Sequence, residues 1–373
     1  MSGLYIHIPF CKQACSYCDF HFSTNLSIKN EVVLNIIKEI ELRHNYFKNK
    51  KLSTIYFGGG TPSLLNKSEF EAIFTAINKF FVYDSSIEIT IETNPDDISA
   101  ENLNLWKSIG INRLSIGLQS FNDEELKWMN RAHTAKDSVN SVLLAQEKGF
   151  NNITIDLIYG SKFQDLKTWE NTLIQAVSLN TQHISSYNLT IENKTALGVN
   201  NLKGKEPSVS DDLSSQQFLL MTDFLKQSDF IHYEISNFGK AGFFAKHNSN
   251  YWLQKHYLGI GPSAHSFNGV SRQWNLKNNG LYSKAIENKT DFFEKEELSI
   301  KDRFNEYVLT RLRTIWGCDT EEIKLLFGET TLLHFLKIAE QKKADFEINN
   351  ATYTLTNQAR LYADGIAADF FLE

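Results

Sequence analysis

The chain lacks the features that mark secreted and membrane-spanning proteins. Its first residues, MSGLYIHIPF, contain no basic segment followed by a long apolar one. Nowhere do the roughly 18 consecutive apolar residues of a membrane span occur. Only 4 cysteines are present in 373 residues, which is unlike the disulfide framework of a small secreted domain. These absences predict a protein of the reducing cytoplasm without a membrane span.

An excess of basic charge is also missing. The net charge is −6, and acidic and basic side chains are interspersed, whereas nucleic-acid-binding surfaces are basic. We interpret the short run Lys48, Lys50 and Lys51 as a solvated loop and expect no nucleic-acid partner. With 42% hydrophobic residues, the chain can bury the core of one large domain and of a smaller one.

What the sequence does contain is a compact cysteine triplet near its start. Cys11, Cys15 and Cys18 follow an apolar run, and the fourth cysteine lies far along the chain. Three neighbouring thiolates suit a [4Fe-4S] cluster and leave one iron without a protein ligand, which is a place for chemistry. The alternative is a structural zinc site completed by His7 or His21, although zinc ligands usually come as two separated pairs.

Strand-like and helix-like segments alternate along the first half of the chain. Short β-rich runs are separated by segments with apolar residues at helical spacing. The runs cover residues 4–8, 54–57, 87–91, 113–117, 153–158 and 183–189. This alternation predicts an α/β fold with a parallel sheet, either doubly wound or a full or partial barrel. In both folds, ligands bind at the carboxyl ends of the strands.

Polar residues and glycines stand at these strand ends. They are Gly58, Gly59, Gly60, Thr61, Glu92, Gln119 and Asp156. Each alone has a structural explanation: a tight turn for the glycines, a helix cap for Gln119 or a partnered carboxylate for Asp156. Together, and beside the cysteine triplet, they predict one cofactor site.

Two glycine-rich motifs do not indicate a nucleotide site. GGGTPS lacks the lysine and the spacing of a P-loop. GIGPSA, which ends at Ala264, matches the dinucleotide pattern G-x-G-x-x-A, but Pro262 removes a backbone N–H and the residues after it do not suggest a helix. Neither motif therefore predicts binding of ATP or NAD.

A second region follows the loosening of the pattern near residue 193. It contains HNSNYW, which begins at His247, and apolar residues at helical spacing between 307 and 338. Residues 345–355 alternate like a hairpin around Asn349-Asn350, so that a helix-and-hairpin unit similar to a winged helix ends the chain. Because this unit is not basic, we interpret it as structural. We predict two domains, residues 1–235 and 236–373.

The chain closely resembles the radical S-adenosylmethionine (SAM) proteins related to oxygen-independent coproporphyrinogen III dehydrogenase. The segments that carry the resemblance are YIHIPFCKQACSYC, GGGTP, IETNPD, IGLQSF, DLIYG and GIGPSAHS, which lie in this order between residues 1 and about 270. The resemblance implies a partial (β/α)6 barrel, a smaller and mostly helical C-terminal domain, and a [4Fe-4S] cluster on Cys11, Cys15 and Cys18. The amino and carboxylate groups of SAM would chelate the open iron.

The same resemblance implies which residues bind SAM, and it assigns no catalytic residue. The SAM-binding residues would be Tyr5, Tyr17, Gly59, Gly60, Thr61, Glu92, Gln119, Arg131, Asp156 and His265. The two tyrosines would flank SAM near the cluster, and the glycine segment would receive its amino-acid end. The charged side chains and the glutamine would bind its charged and ribose groups, and the histidine would lie beside the adenine.

Within this family the chain departs from the dehydrogenases. Those proteins have in common a fourth cysteine two places after the third and a long N-terminal segment. Here Phe20 stands at that place, and only ten residues precede Cys11. The CDF and HNSNYW motifs are instead similar to the heme-chaperone branch of the family. They imply a protein that binds heme and transfers it to an acceptor.

The sequence does not identify this acceptor protein. A chain without a membrane span can still deliver heme to a membrane-bound acceptor through peripheral contact. We predict no coproporphyrinogen dehydrogenase activity. The alternative function is that same reaction, the oxidative decarboxylation of coproporphyrinogen III.

His247 is the candidate heme ligand. A neutral imidazole is a common axial ligand of heme iron, and Tyr251 and Trp252 are large aromatic residues that can cover the macrocycle. The alternative is a histidine that is simply hydrogen-bonded in a turn. Cys318 is a rival iron ligand, although an isolated cysteine is usually just buried.

Overall fold

Parallel strands form the centre of the computed structural model, which describes residues 2–207 and 210–373. These strands are β1 (Ser2–Ile8), β2 (Leu52–Gly59), β3 (Glu88–Thr93), β4 (Arg113–Gln119), β5 (Ile153–Tyr159) and β6 (His183–Asn188). Each pairs in parallel with the next along the chain. The predicted alternation of strand and helix around a parallel sheet is therefore confirmed.

Shorter strands extend this sheet on both sides. Beyond β6 lie β7 (Ile231–Glu234) and β8 (Asn237–Gly239), and on the β1 side lie β9 (Tyr257–Ile260), β10 (His265–Phe267), β11 (Ser271–Asn275) and β12 (Phe293–Glu297). Of these, only β9 pairs in parallel, with β1. In the described residues the sheet thus runs past the domain boundary predicted at residue 235, whereas a second apolar core begins at Phe304.

Helices cover one face of the central sheet. They are α1 (Lys29–Arg43), α2 (Lys67–Phe80), α3 (Ala100–Ser108), α5 (Ala135–Glu147) and α6 (Leu166–Ser178), whereas the short α4 (Asp123–Trp128) lies near the carboxyl ends of β4 and β5. The apolar spacing explains their position: Phe70, Ile73 and Ile77 share one side of α2 and are buried in the core. Capping boxes at Thr134 and Asp165 fix where α5 and α6 begin.

The two faces of the sheet differ in chemistry because side chains alternate along a strand. Ile91 of β3, Ile116 of β4 and Leu157 of β5 belong to the apolar core under the helices. The neighbouring Glu92 and Asp156 point to the opposite side, where they line a cavity. The fold therefore presents polar groups to a ligand near the carboxyl ends of these strands.

The later helices complete the molecule around this sheet. They are α7 (Ala196–Leu202), α8 (Asp211–Gln227), α9 (Lys246–Trp252), α10 (Asn279–Asn288), α11 (Ile300–Leu312), α12 (Thr320–Phe327), α13 (Glu329–Gln341) and α14 (Ala363–Ala368). The last four pack with a small sheet of β13 (Cys318–Asp319), β14 (Phe346–Asn349) and β15 (Thr352–Leu355). The antiparallel pairing of β14 and β15 confirms the predicted hairpin. No helix in the described part of the chain is both long and apolar enough to cross a membrane.

Candidate functional site

A cavity of about 510 Å³ lies at the carboxyl ends of the central strands. This volume is typical of sites that bind small molecules and cofactors. The predicted site residues that line it are Cys11, Cys15, Tyr17, Cys18, Gly59, Gly60, Thr61, Glu92, Gln119, Arg131 and Asp156. Residues that are distant in sequence, from the cysteine loop and from β2 to β5, are thus brought together by the fold.

Two predicted SAM contacts, Tyr5 and His265, lie outside this cavity. The hydroxyl of Tyr5 is 3.0 Å from Nδ1 of His7 within β1. His265 begins β10, where its side chain is exposed and its ring centroid lies 6.4 Å from that of Trp274. The structure does not bring these two side chains to the cavity with the others, and their contact with SAM stays a prediction.

The three cysteines face the cavity from the loop between β1 and α1. Among the described residues, no three or more His, Cys, Asp or Glu side chains converge where one ion would sit. A [4Fe-4S] cluster does not need such convergence, because each thiolate binds a different iron. Three cysteines beside one cavity therefore fit a cluster in which Cys11, Cys15 and Cys18 are the protein ligands.

The histidines that would complete a zinc site are used elsewhere. Nε2 of His7 lies 2.9 Å from the carbonyl oxygen of His21. Nε2 of His21 in turn lies 2.7 Å from Oδ1 of Asn279. Both side chains are thus hydrogen-bonded away from the cysteines, which argues against the zinc alternative in this conformation.

Two of the cysteines have raised pKa values. Burial raises the pKa of Cys11 to about 12, and burial also raises the pKa of Cys18. Because metals bind thiolates, cluster assembly on these residues must release protons. Nη1 of Arg131 donates to Sγ of Cys15 at 3.3 Å, so a fixed positive charge is placed beside one ligand.

The glycines after β2 allow the cysteine loop to approach closely. Gly59 has φ of 109°, in the region that favours glycine. A Cβ atom on Gly60 would lie 2.6 Å from the carbonyl oxygen of Phe10, just before the first cysteine. The glycines therefore permit a close backbone approach at the end of β2 rather than forming a tight turn, and Gly59 and Gly60 form part of the cavity wall.

Two half-buried carboxyl groups, those of Glu92 and Asp156, line the cavity. Glu92 accepts hydrogen bonds from the Tyr56 hydroxyl at 2.7 Å and from the Gly59 N–H at 3.0 Å. Burial raises the pKa of Glu92 to about 7 and that of Asp156 to about 6. Ser115 donates to Asp156 at 3.3 Å. These carboxylates can accept hydrogen bonds from ammonium or hydroxyl groups of a ligand.

Gln119 is not a helix cap. It ends β4 with φ of 66°, and its side chain lines the cavity, while Asn122 caps α4.

The sequence pattern does not single out Asn94 as a site residue, although the IETNPD motif contains it. Its Oδ1 accepts from Nη2 of Arg131 at 2.7 Å, and the same Nη2 donates to the Gly117 carbonyl at 2.8 Å. Asn94 therefore orients the guanidinium at the cavity wall.

His247 lies at the opposite, amino end of the sheet. Its Nδ1 is 2.8 Å from the Thr54 hydroxyl, and its Nε2 is 2.9 Å from the Tyr251 hydroxyl. The backbone N–H of His247 donates to Glu88 at the start of β3. Burial lowers the pKa of His247 to about 3, so the ring is neutral. The alternative of a hydrogen-bonded histidine describes this conformation, and contact with heme stays a prediction.

Cys318 is also inaccessible. It is buried within the second apolar core, and burial raises its pKa. A thiol in this environment stays protonated, which makes it a poor iron ligand. The structure thus separates Cys318 from the cysteine loop.

Comparison with known proteins identifies the family of the chain. The model of the radical SAM superfamily matches residues 5–175. The chain is 33% identical to the heme chaperone HemW of Bacillus subtilis, over 100% of both chains. It is 30% identical to HemW of Haemophilus influenzae, over 100% of this chain and 98% of that one.

A solved structure has the same fold. The coproporphyrinogen III oxidase HemN from Escherichia coli, a radical SAM enzyme, superimposes with a TM-score of 0.84 at 24% identity, covering 99% of this chain and 89% of that one. The radical SAM fold implies a [4Fe-4S] cluster and SAM, which the cavity residues fit. The chain belongs to the HemW family within the radical SAM superfamily.

Proposed function

We propose that this chain is a heme chaperone, which binds heme and transfers it to an acceptor protein. Its scaffold would carry the [4Fe-4S] cluster on Cys11, Cys15 and Cys18, with SAM in the adjoining cavity. The observation that carries this proposal is the similarity over the whole chain to relatives named heme chaperone HemW. The acceptor and a location in the cytoplasm stay predictions.

Phe20 favours a chaperone over a dehydrogenase. It stands two residues after Cys18, at the position where the related dehydrogenases have a fourth cysteine. Its ring is 74% exposed and lines the cavity mouth, together with the exposed Tyr187. A phenyl ring has no thiol with which to bind metal or exchange electrons, but it offers an apolar surface to a flat macrocycle.

The proposed heme contact is His247, and a cavity beside its helix has suitable chemistry, although the buried His247 does not itself line that cavity. A second cavity, of about 480 Å³, adjoins α9 and is lined in part by Phe244, Leu253, Lys246 and Lys255. Apolar side chains can contact a porphyrin ring, and lysines can pair with its propionates. Because both ring nitrogens of His247 are hydrogen-bonded, iron can bind there only if one of these hydrogen bonds breaks.

A heme titration with product analysis tests the proposed function. Cluster-reconstituted protein is titrated with heme in the presence and absence of SAM, and the complex is then mixed with apomyoglobin as a heme acceptor. We expect saturable heme binding, transfer to apomyoglobin, and no protoporphyrinogen from coproporphyrinogen III under reducing, anaerobic conditions. Protoporphyrinogen formation without heme transfer would instead establish the dehydrogenase function.

Replacing Glu92 with glutamine is expected to weaken SAM binding while sparing the cluster. Glutamine keeps the size of the side chain but removes the charge, and hydrogen bonds to charged groups are the stronger ones. A loss of about tenfold or more in affinity, equivalent to about 1.4 kcal/mol, is expected in equilibrium dialysis of the cluster-loaded protein.

The matched control for this prediction is Glu101→Gln, which alters an exposed carboxylate on α3. Cluster absorbance shows whether each variant is loaded. Equal SAM affinities for Glu92→Gln and wild type would remove Glu92 from the SAM site.

A further inference from the structure

The C-terminal end of α4 and the residues just after it are hydrogen-bonded to the cysteine loop, residues 11–18. The carbonyl oxygen of Trp128 accepts from Oγ of Ser16 at 3.1 Å, and that of Met129 accepts from the Ser16 N–H at 3.0 Å. Arg131, three residues after Trp128, donates to Sγ of Cys15. The same short segment therefore touches consecutive residues of the loop that carries the ligands.

Asn130 makes the most extensive of these contacts. Its Nδ2 donates to the carbonyl oxygen of Ala14 at 2.7 Å. Its own carbonyl oxygen and its Oδ1 each accept from Nε2 of Gln13 at 2.8 Å. Asn130 also has φ of 57°, a left-handed conformation that turns the chain from α4 toward Arg131. Side chain and backbone together hold the loop between Cys11 and Cys15.

The segment that holds the loop is itself fixed to the sheet. Glu125 of α4 is buried and accepts hydrogen bonds from Ser120, after β4, and from Ser161, after β5. Nε2 of Gln164 donates to the same carboxylate at 3.1 Å. These contacts connect α4 to two strand ends, so Asn130 presents its amide from a rigid support.

We propose that Asn130 is a positioning residue, which shapes the cysteine loop for cluster binding before any iron is bound. Gln13 and Ala14 are exposed, so burial does not order this part of the loop. Ordering a flexible loop costs conformational entropy, and a loop that is already ordered does not lose it again when the cluster binds. The proposal depends on the cysteine ligands and not on the heme function.

Hydrogen exchange of the cluster-free protein tests this role. Asn130→Gly keeps the left-handed backbone accessible but removes the amide. Asn130→Asp keeps the acceptor for Gln13 but removes the donor to Ala14. We expect exchange of the Ser16 amide, which donates to Met129, to accelerate at least about tenfold in both variants, as expected when a hydrogen-bonded segment opens more often.

The matched control is Asn180→Gly. Asn180 is another exposed asparagine with left-handed backbone, φ 54°, in the loop after α6. Gln13→Ala removes the contact from the loop side and should act like the Asn130 variants. Exchange in the β4 and β5 segments reports whether the fold of each variant is intact.

A second readout separates positioning from general stability. Once the cluster is bound, its iron–sulfur bonds hold the loop, so the acceleration should largely disappear in the loaded protein. Iron release to a chelator should nevertheless be faster in the Asn130 variants than in wild type. Unchanged exchange in the cluster-free variants, or equal acceleration with and without the cluster, would overturn the proposal.

Discussion

Replacing Cys11, Cys15 or Cys18 with serine is expected to abolish assembly of the [4Fe-4S] cluster. A serine hydroxyl is a harder and far less acidic ligand than a thiol, and iron–sulfur clusters select thiolates. With only three protein ligands, the loss of one leaves two iron atoms unheld. Iron and sulfide content and visible absorbance after anaerobic reconstitution measure the outcome.

The internal control for this prediction is Cys318→Ala. Cys318 lies in the second apolar core and not beside the cavity. This variant should lose some stability, because it leaves a small void, but should bind the same amount of iron as wild type. Full iron content in Cys15→Ser, or its loss in Cys318→Ala, would show that the ligand assignment is wrong.

The sequence predicted the central sheet because burial on one face imposes a clear pattern. The run at 113–117 became β4 (Arg113–Gln119), and the run at 153–158 became β5 (Ile153–Tyr159). Apolar residues that alternate or run together between helical segments leave few other folds. The same reasoning predicted that Glu92, Gln119 and Asp156 lie at one cavity, because the carboxyl ends of parallel strands share one edge of the sheet.

Distance along a strand explains why Tyr5 lies away from the cavity. Tyr5 pairs with Tyr56, and Tyr56 pairs with Thr90, which precedes the cavity-lining Glu92 by two residues. A strand rises about 3.3 Å per residue, so Tyr5 lies about 7 Å below the level of Glu92. His265 lies in β10, which β9 separates from the central strands. Motif similarity identifies such residues but does not give their depth or their position across the sheet.

The features that the sequence did not predict depend on contacts between segments that are far apart along the chain. Asn130 and Ala14 are 116 residues apart, and Thr54 and His247 are 193 apart. Neither pair has a local pattern that marks it, because each contact arises only when α4 is held near the ends of β4 and β5 and α9 packs against β2. HNSNYW suggested a heme ligand, and the packed helix encloses its histidine in this conformation, which the motif does not indicate.

His247→Ala is expected to weaken heme binding at least about tenfold, or 1.4 kcal/mol in binding free energy. The imidazole is neutral because burial lowers its pKa to about 3, so protons do not compete for its nitrogens near neutral pH. The structure also predicts a variant with the opposite effect, that is, with higher affinity for heme. If iron takes Nε2 of His247, the hydrogen bond to the Tyr251 hydroxyl must break.

Tyr251→Phe is therefore expected to strengthen heme binding. It removes the competing hydroxyl, keeps the aromatic ring, and saves about 1 kcal/mol, which corresponds to about fivefold in affinity. Heme titrations followed in the Soret region measure both variants, with Tyr362→Phe, which alters an exposed tyrosine, as the matched control. Cluster absorbance shows whether the radical SAM core is intact. If neither variant changes heme affinity, His247 is not the ligand, and the exposed aromatic residues at the cavity mouth, Phe20 and Tyr187, become the place to test.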